Sequence, residues 1–145
     1  MTTLVTVLIA VGLAVAVLVW FALRWLRQAR TGAIETGTRL LEGRDLVVQD
    51  TAANCFGLRS AGAGQIRGNG FLAATADEVV FVMWVPRRVV HVRRPLLVEA
   101  DTTRSHLGKT VSRDLLRLRW INDDGDEEEA AFAVRNLPAW LDELA

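Results

Sequence analysis

The first 23 residues of the chain carry no charged side chain, and this apolar pattern predicts a membrane-spanning helix. Within residues 4–23 only Thr6 and Gly12 lie outside the apolar set. As a helix this segment would rise roughly 30 Å, which is about the hydrocarbon thickness of a bilayer, and it would satisfy its own backbone hydrogen bonds. We therefore expect residues 4–23 to cross a membrane once, with residues 1–3 outside the cytoplasm.

Charges and aromatic rings at the end of this segment predict its orientation. Cationic side chains next to a span are retained in the cytoplasm, and indole rings settle at the membrane interface. A cleaved secretory signal would instead carry its positive charge before the apolar core. We expect a single-pass protein of the plasma membrane with its N-terminus outside and its C-terminal domain in the cytoplasm. The residues predicted at the interface are Trp20, Arg24, Trp25, Arg27 and Arg30.

Beyond the span, the pattern changes to a short basic linker and then to β-structure. Residues 24–43 are predicted as a juxtamembrane linker or frayed helix, because Gly32, Gly37 and Gly43 interrupt them. Residues 44–145 form the predicted domain. Runs of β-branched and alternating apolar residues predict seven strands, over residues 45–51, 65–75, 78–84, 88–93, 96–101, 115–121 and 129–134.

The segments between the predicted strands are read as turns, and the chain ends in a helix. Residues 54–64 are expected to loop or pair irregularly, and residues 102–112 are polar and turn-rich. Asp124 and Gly125 are typical of a hairpin turn. A helix over residues 137–144 follows from a capping Asn136 and from apolar residues at helical spacing, namely Leu137, Trp140, Leu141 and Leu144.

The chain has a net charge of zero, yet its charges are separated along the sequence. Residues 24–119 hold 16 basic and 9 acidic side chains, whereas residues 120–145 hold one basic and 8 acidic side chains. A basic region beside the membrane is consistent with a domain oriented on an anionic surface. The acidic run 123–129 is expected to be a solvated, edge-protecting turn rather than a metal site. Nucleic-acid binding is disfavoured, because the domain has no net positive charge and no evident aromatic platform.

Several motifs suggest chemistry but lack the context that the chemistry needs. Gly108, Lys109 and Thr110 match the end of a phosphate-binding loop, but Thr103 stands where that signature requires its first glycine. Ser105 and His106 have no nucleophile-elbow sequence around them. The single Cys55 excludes an internal disulfide and agrees with a reducing compartment. We expect no enzyme activity, no cofactor and no metal.

Two stretches of the domain resemble bacterial pleckstrin-homology-like (PH-like) and GRAM-like domains. Residues 68–81, GNGFLAATADEVVF, resemble the segment in which a glycine and an apolar strand precede a Thr, a turn and a second strand ending in Phe. The closing AFAVRNLPAWLDEL resembles the last strand and helix of those families. The resemblance implies a mainly β fold, a seven-stranded open barrel or two orthogonal sheets closed by a C-terminal helix. It also implies a binding module for lipid head groups, peptides or proteins.

The candidate binding site lies in the polar stretch after the fifth predicted strand. Donors and cations converging on one loop would hold a phosphate head group, whereas the alternative is a solvated loop without a ligand. The residues are Arg104, His106, Lys109 and Arg113. In the span, Gly12 and Ala16 would permit close approach of a second copy.

Three functions remain open at this point. The first is a membrane-anchored, non-catalytic adaptor that docks a protein partner at the inner leaflet. The second is anionic-lipid binding by the β domain. The third is a non-catalytic subunit of a membrane enzyme complex.

Overall fold

The computed structural model describes residues 2–64 and 67–145, which form two α-helices and seven β-strands. Residue 1 of the predicted outer segment and residues 65 and 66 of the second predicted strand lie outside the described residues. The elements are α1 Thr2–Leu40, β1 Leu46–Leu58, β2 Gly68–Thr75, β3 Glu78–Met83, β4 Val89–Arg93, β5 Leu97–His106, β6 Lys109–Ile121, β7 Glu127–Ala133 and α2 Leu137–Leu144.

The described strands form one antiparallel sheet in the order β4-β3-β2-β1-β7-β6-β5. β1 is the strand that joins its two halves, because it pairs with β2 along most of its length and with β7 only from Asn54 to Leu58. Register shifts interrupt the β1–β2 ladder between Asp50 and Ala53, as expected where a strand bends from one layer into another. The predicted fold class, an open seven-stranded sheet with a C-terminal helix, is confirmed.

One face of the sheet encloses the main core, which α2 closes. Trp140 of α2 is only 1% exposed and packs with the inward residues Leu116, Leu118 and Phe132. The Asn136 side chain accepts a hydrogen bond from the Ala139 N–H at 3.4 Å and so caps α2. The terminal helix is therefore placed as predicted.

α1 differs from its prediction, because it does not end near the predicted membrane boundary. Residues 24–40 continue the same helix without a break, where a linker or frayed helix was expected. The reason is packing. Ala33, Gly37 and Leu41 recur every four residues, so they lie on one side of the chain, and all three are buried against the sheet. Two of the glycines interpreted as breaks, Gly32 and Gly37, thus lie inside a regular helix.

Two segments that were not predicted as regular strands belong to strands. Residues 54–58 are the end of β1, and they pair irregularly, as one of the two expectations had it, with a register shift between Cys55 and Leu58 opposite β7. The stretch 102–112 is mostly a long β5–β6 hairpin, whose turn is made by Leu107 and Gly108, both with positive φ. Polar composition suggested a loop, but a hairpin needs only a partner strand for its backbone groups, and polar side chains suit its exposed face.

Within the described residues, one helix is long and apolar enough to cross a membrane. It extends over Thr3–Leu40, its most apolar window has a mean hydropathy of 2.8, and nothing in that window is buried by the rest of the protein.

Candidate functional site

The most specific contact surface in the protein is the junction between α1 and the outer face of β2 and β3. Ala33 of α1 and Leu41, which directly follows the helix, are buried with Phe71, Ala73, Val80 and Val82. At Gly37 the helix backbone lies directly on the Phe71 ring, and an added Cβ would stand 2.2 Å from Phe71 Cδ1. Only glycine allows this approach, so the end of α1 is fitted closely to the sheet.

Arg87, in the loop between β3 and β4, fastens that loop to the same helix. Its Nη1 donates to the Gly32 carbonyl at 2.8 Å and to Thr36 Oγ1 at 2.9 Å. Its Nη2 lies 3.5 Å from the Ala29 carbonyl. The Thr36 hydroxyl also donates to the Gly32 carbonyl at 2.7 Å, so Arg87, Thr36 and Gly32 form one small network of hydrogen bonds. The β3–β4 loop is thereby held beside residues 29–36.

Arg30 connects α1 to a second part of the domain. Its Nη2 donates to Thr51 Oγ1 at 3.0 Å, and its guanidinium carbon lies 5.8 Å from the centre of the Trp84 ring. Thr51 also accepts a bond from Arg135 at 3.0 Å. The adjoining Asp50 carboxylate is buried and accepts from the Arg135 backbone N–H at 2.8 Å and from its Nε at 3.2 Å. Polar contacts thus run from α1 through β1 to the start of α2.

A groove opens where α1 and the β3–β4 loop meet nearest to the predicted span. It is lined by Trp25, Gln28, Ala29, Trp84, Val85 and Arg87. The Trp84 Nε1–H is shielded from solvent and has no hydrogen-bond partner among the described residues. A buried donor left unpaired costs about 1–3 kcal/mol.

The residues predicted at the membrane interface divide into two groups. Trp20, Arg24, Trp25 and Arg27 are exposed on α1, and the Arg24 guanidinium lies 5.7 Å from the Trp20 ring centre. Arg30 instead contacts the domain through Thr51 and Trp84. Their place at a membrane interface stays a prediction.

The four residues of the predicted head-group site occupy the β5–β6 hairpin but do not form one cluster of free donors. Arg104 donates to Asp114 at 2.6 Å, and this hydrogen bond lowers the pKa of the Asp114 carboxyl. Lys109 and Arg113 are exposed. His106 is buried, which removes it from any surface site in this conformation. The head-group site stays a prediction, and Arg104, Lys109 and Arg113 are its accessible members.

His106 holds the end of the hairpin against the sheet. Its Nε2 lies 2.9 Å from the Gly57 carbonyl, and its Nδ1 lies 3.1 Å from Glu129 Oε1. A carbonyl and a carboxylate both accept hydrogen bonds, so whichever ring nitrogen carries hydrogen has an acceptor beside it. Nearby, Val111 packs on Phe56, Leu115, Ala131 and Ala133. The hairpin end therefore covers the outer face of β1 and β7.

Part of the acidic run has a structural role that its composition did not predict. The Glu128 carboxylate is buried, and it accepts the Ser60 backbone N–H at 3.0 Å and contacts the Ser60 hydroxyl. Glu129 faces His106. Asp123 to Asp126 remain exposed in the turn between β6 and β7, as expected. In residues 2–64 and 67–145, no group of three His, Cys, Asp or Glu side chains is arranged to hold a metal ion.

Comparison with solved structures found similarity to the N-terminal PH domain of Vps36. The two chains share 13% sequence identity, with a TM-score of 0.47 over 71% of this chain and 80% of that chain. No protein-family model matches the sequence. No curated protein matches it either. The PH-like fold class rests on the strand order and the terminal helix described above.

Proposed function

We propose that this chain is a single-pass membrane protein whose PH-like domain is a non-catalytic binding module docking a protein partner at the inner leaflet of the plasma membrane. The observation that carries the proposal is the continuity of α1, which runs from the apolar segment 4–23 into a fitted contact with β2 and β3. A domain attached in this way has a fixed height and a fixed orientation relative to the helix. Such a fixed geometry suits presentation of a surface to a membrane-bound partner.

The reactive side chains of the domain support a binding role over a catalytic one. Burial raises the pKa of the Cys55 thiol to about 11, so the thiol is protonated and a poor nucleophile. His106 has both ring nitrogens engaged with structural partners. His91 lies on the exposed side of β4 and contacts Glu78, and burial is the main cause that lowers its pKa. These environments support recognition as the role of the domain.

Membrane insertion and orientation are tested first. The full-length chain should stay in the pellet after alkaline carbonate extraction, and a reporter fused at Ala145 should be active only in the cytoplasm. Release into the supernatant would refute the anchor. An active reporter outside the cytoplasm would refute the orientation alone.

The protein partner is tested by crosslinking the intact chain in its native membrane before detergent extraction. We expect a second protein to be recovered with the wild-type chain and to be lost with Gly37→Val, which separates the domain from α1. Thr38→Val is the matched control, because it changes a neighbouring exposed position of the same helix. Recovery of this chain alone would refute the adaptor role.

Self-association through Gly12 and Ala16 is proposed as a secondary property of the span. No atom lies within 4 Å of the Cβ that could be added at Gly12, so this side of the helix is open. A crosslinked dimer that persists in Gly12→Ile would refute this contact.

A further inference from the structure

Arg24 and Arg27 are arginines of α1 that lie off the side of the helix that contacts the β domain. Arg30 precedes Gly37 by seven residues, which is almost two helical turns, so it lies on the same side as Gly37 and contacts the domain. Arg24 and Arg27 precede Gly37 by 13 and 10 residues, which places them about 140° and 80° around the helix axis from it. Both side chains are exposed.

The charge of this arginine pair is not neutralised by the protein itself. In the part of the chain that the structure describes, no carboxylate pairs with either guanidinium, whereas several arginines of the β domain pair with aspartates. The one carboxylate beside the same hollow on α1 is that of Glu35. It is eight residues beyond Arg27, which is roughly 12 Å farther along the helix axis. The pair is therefore complementary to an anion from outside the chain.

The spacing of the pair allows both guanidiniums to bind one phosphate. Residues three apart on a helix are neighbours, with about 5–6 Å between their Cβ atoms. Arginine donates to phosphate through two parallel N–H groups, and such charge-assisted bonds are roughly twice as strong as neutral ones. The hollow that holds Arg24 and Arg27 is also lined by Trp20 and Leu23, which supply apolar surface on its membrane side.

The depth of the pair agrees with the head-group layer of a bilayer. Arg24 and Arg27 follow the last residue of the predicted span by one and four positions. At 1.5 Å per residue, they lie about 1.5 and 6 Å beyond the hydrocarbon edge along the helix axis. The polar layer of each leaflet is about 5–7 Å thick, so the pair lies within it. Trp20 lies about 4.5 Å inside the hydrocarbon edge, at the depth of the upper acyl chains.

We infer that Arg24 and Arg27 bind the phosphate of one anionic phospholipid of the inner leaflet. The inference rests on the proposed membrane insertion, and it names a lipid site on α1 that is separate from the predicted β5–β6 site. Trp20 and Leu23 would contact the upper acyl chains of the same lipid. Because the site lies off the docked side of α1, a bound lipid leaves the contact between α1 and the β domain unchanged.

The test titrates the full-length chain in mild detergent with phosphatidylglycerol or phosphatidylcholine and counts bound lipid by native mass spectrometry. We expect wild type to bind phosphatidylglycerol about 25-fold more tightly than phosphatidylcholine, since each arginine at an anionic lipid surface contributes about fivefold. Arg27→Gln should lose about fivefold of this preference, and the double variant Arg24→Gln/Arg27→Gln should bind the two lipids about equally. Arg39→Gln is the matched control, because it removes one charge from an exposed position of α1 about 24 Å beyond the predicted span.

Four results would overturn the inference. Equal binding of the two lipids by wild type, or wild-type preference in the double variant, would remove the site. An equal loss in Arg27→Gln and Arg39→Gln would show a response to net charge alone. Displacement of phosphatidylglycerol by inorganic phosphate at equal concentration would show a free-anion site, and loss of a protein crosslink in the double variant with unchanged lipid binding would show a protein site. Carbonate extraction reports the failure of the anchor separately, because the detergent titration does not depend on membrane insertion or orientation.

Discussion

Replacing Gly37 with alanine tests whether α1 is fitted to the sheet or only lies near it. Helix propensity alone predicts that alanine stabilises a helix by about 1 kcal/mol relative to glycine. The structure predicts the opposite sign, because the new Cβ would stand 2.2 Å from Phe71 Cδ1 and 2.4 Å from Cε1. Carbon atoms pack best at about 3.5–4.0 Å, so the helix or the ring must move by more than 1 Å.

The ring has little freedom to move, since Phe71 is 1% exposed within the cluster that also holds Ala73, Val80 and Val82. Overpacking of this kind costs about 1–3 kcal/mol. A contact more than 1 Å too short belongs in the upper part of this range, about 2–3 kcal/mol. After the gain of about 1 kcal/mol in helix propensity, we expect the docked segment to lose roughly 1–2 kcal/mol, and its opening to become about 5–30-fold more frequent.

Hydrogen exchange of the α1 amides from residue 33 to residue 40, measured on the full chain in detergent, reports this opening. Gly12→Ala is the matched control, because nothing lies within 4 Å of its added Cβ. A second variant, Phe71→Leu, removes part of the ring and should partly restore protection in the Gly37→Ala background. Equal protection in wild type and Gly37→Ala, or equal loss in both glycine variants, would refute a fitted contact.

Three further predictions concern the domain itself. His106→Phe removes the ring nitrogens that contact the Gly57 carbonyl and Glu129, so it should lower the free energy of unfolding in urea by about 1–3 kcal/mol, whereas Arg113→Gln should change it by less than about 0.5 kcal/mol. Asp50→Ala removes the acceptor of the Ala52 and Arg135 backbone N–H groups and should cost about 1–2 kcal/mol in the same assay; an unchanged urea midpoint would contradict its role. Burial raises the pKa of the Cys55 thiol from 9.0 to about 11 in the folded protein. The thiol of the unfolded chain therefore ionises at a lower pH than the thiol of the folded chain. The free energy of unfolding should be intact below pH 9 and fall as the pH rises to 11. The free energy of unfolding should fall by roughly 2–3 kcal/mol over this pH range, and the fall should be absent in Cys55→Ala. It can be assigned to the thiol because the chain has no tyrosine and one lysine, the other side chains that titrate near this pH.

The fold was largely predictable because its determinants are local. Alternation in β6 placed Leu116, Leu118 and Trp120 inward, as the structure has them. The length of α1 was not predictable in the same way. Gly37 weakens an isolated helix, and only its contact with Phe71, 34 residues away in sequence, makes glycine the right residue there.

The burial of His106, one of the four residues of the predicted site, was not predictable for a related reason. The environment of His106 is set by Gly57, which is 49 residues away, and no local periodicity encodes such a contact. The groove at Trp84 was also missed, since it is formed by α1 and a loop that the sequence separates by more than 50 residues. Its signal was visible only in part, as a tryptophan and two arginines surrounding Pro86.

Because α1 is unbroken, the number of residues between its apolar segment and the sheet sets the height and the rotation of the β domain. One residue inserted between Arg24 and Gln28 would rotate the whole β domain by about 100° around the helix axis and lower it by about 1.5 Å. Seven inserted residues would rotate the domain by nearly two full turns, so almost the same side would face the original direction, and they would lower the domain by about 10 Å. The length of this short stretch therefore sets the direction, around the helix axis, in which each surface of the domain faces.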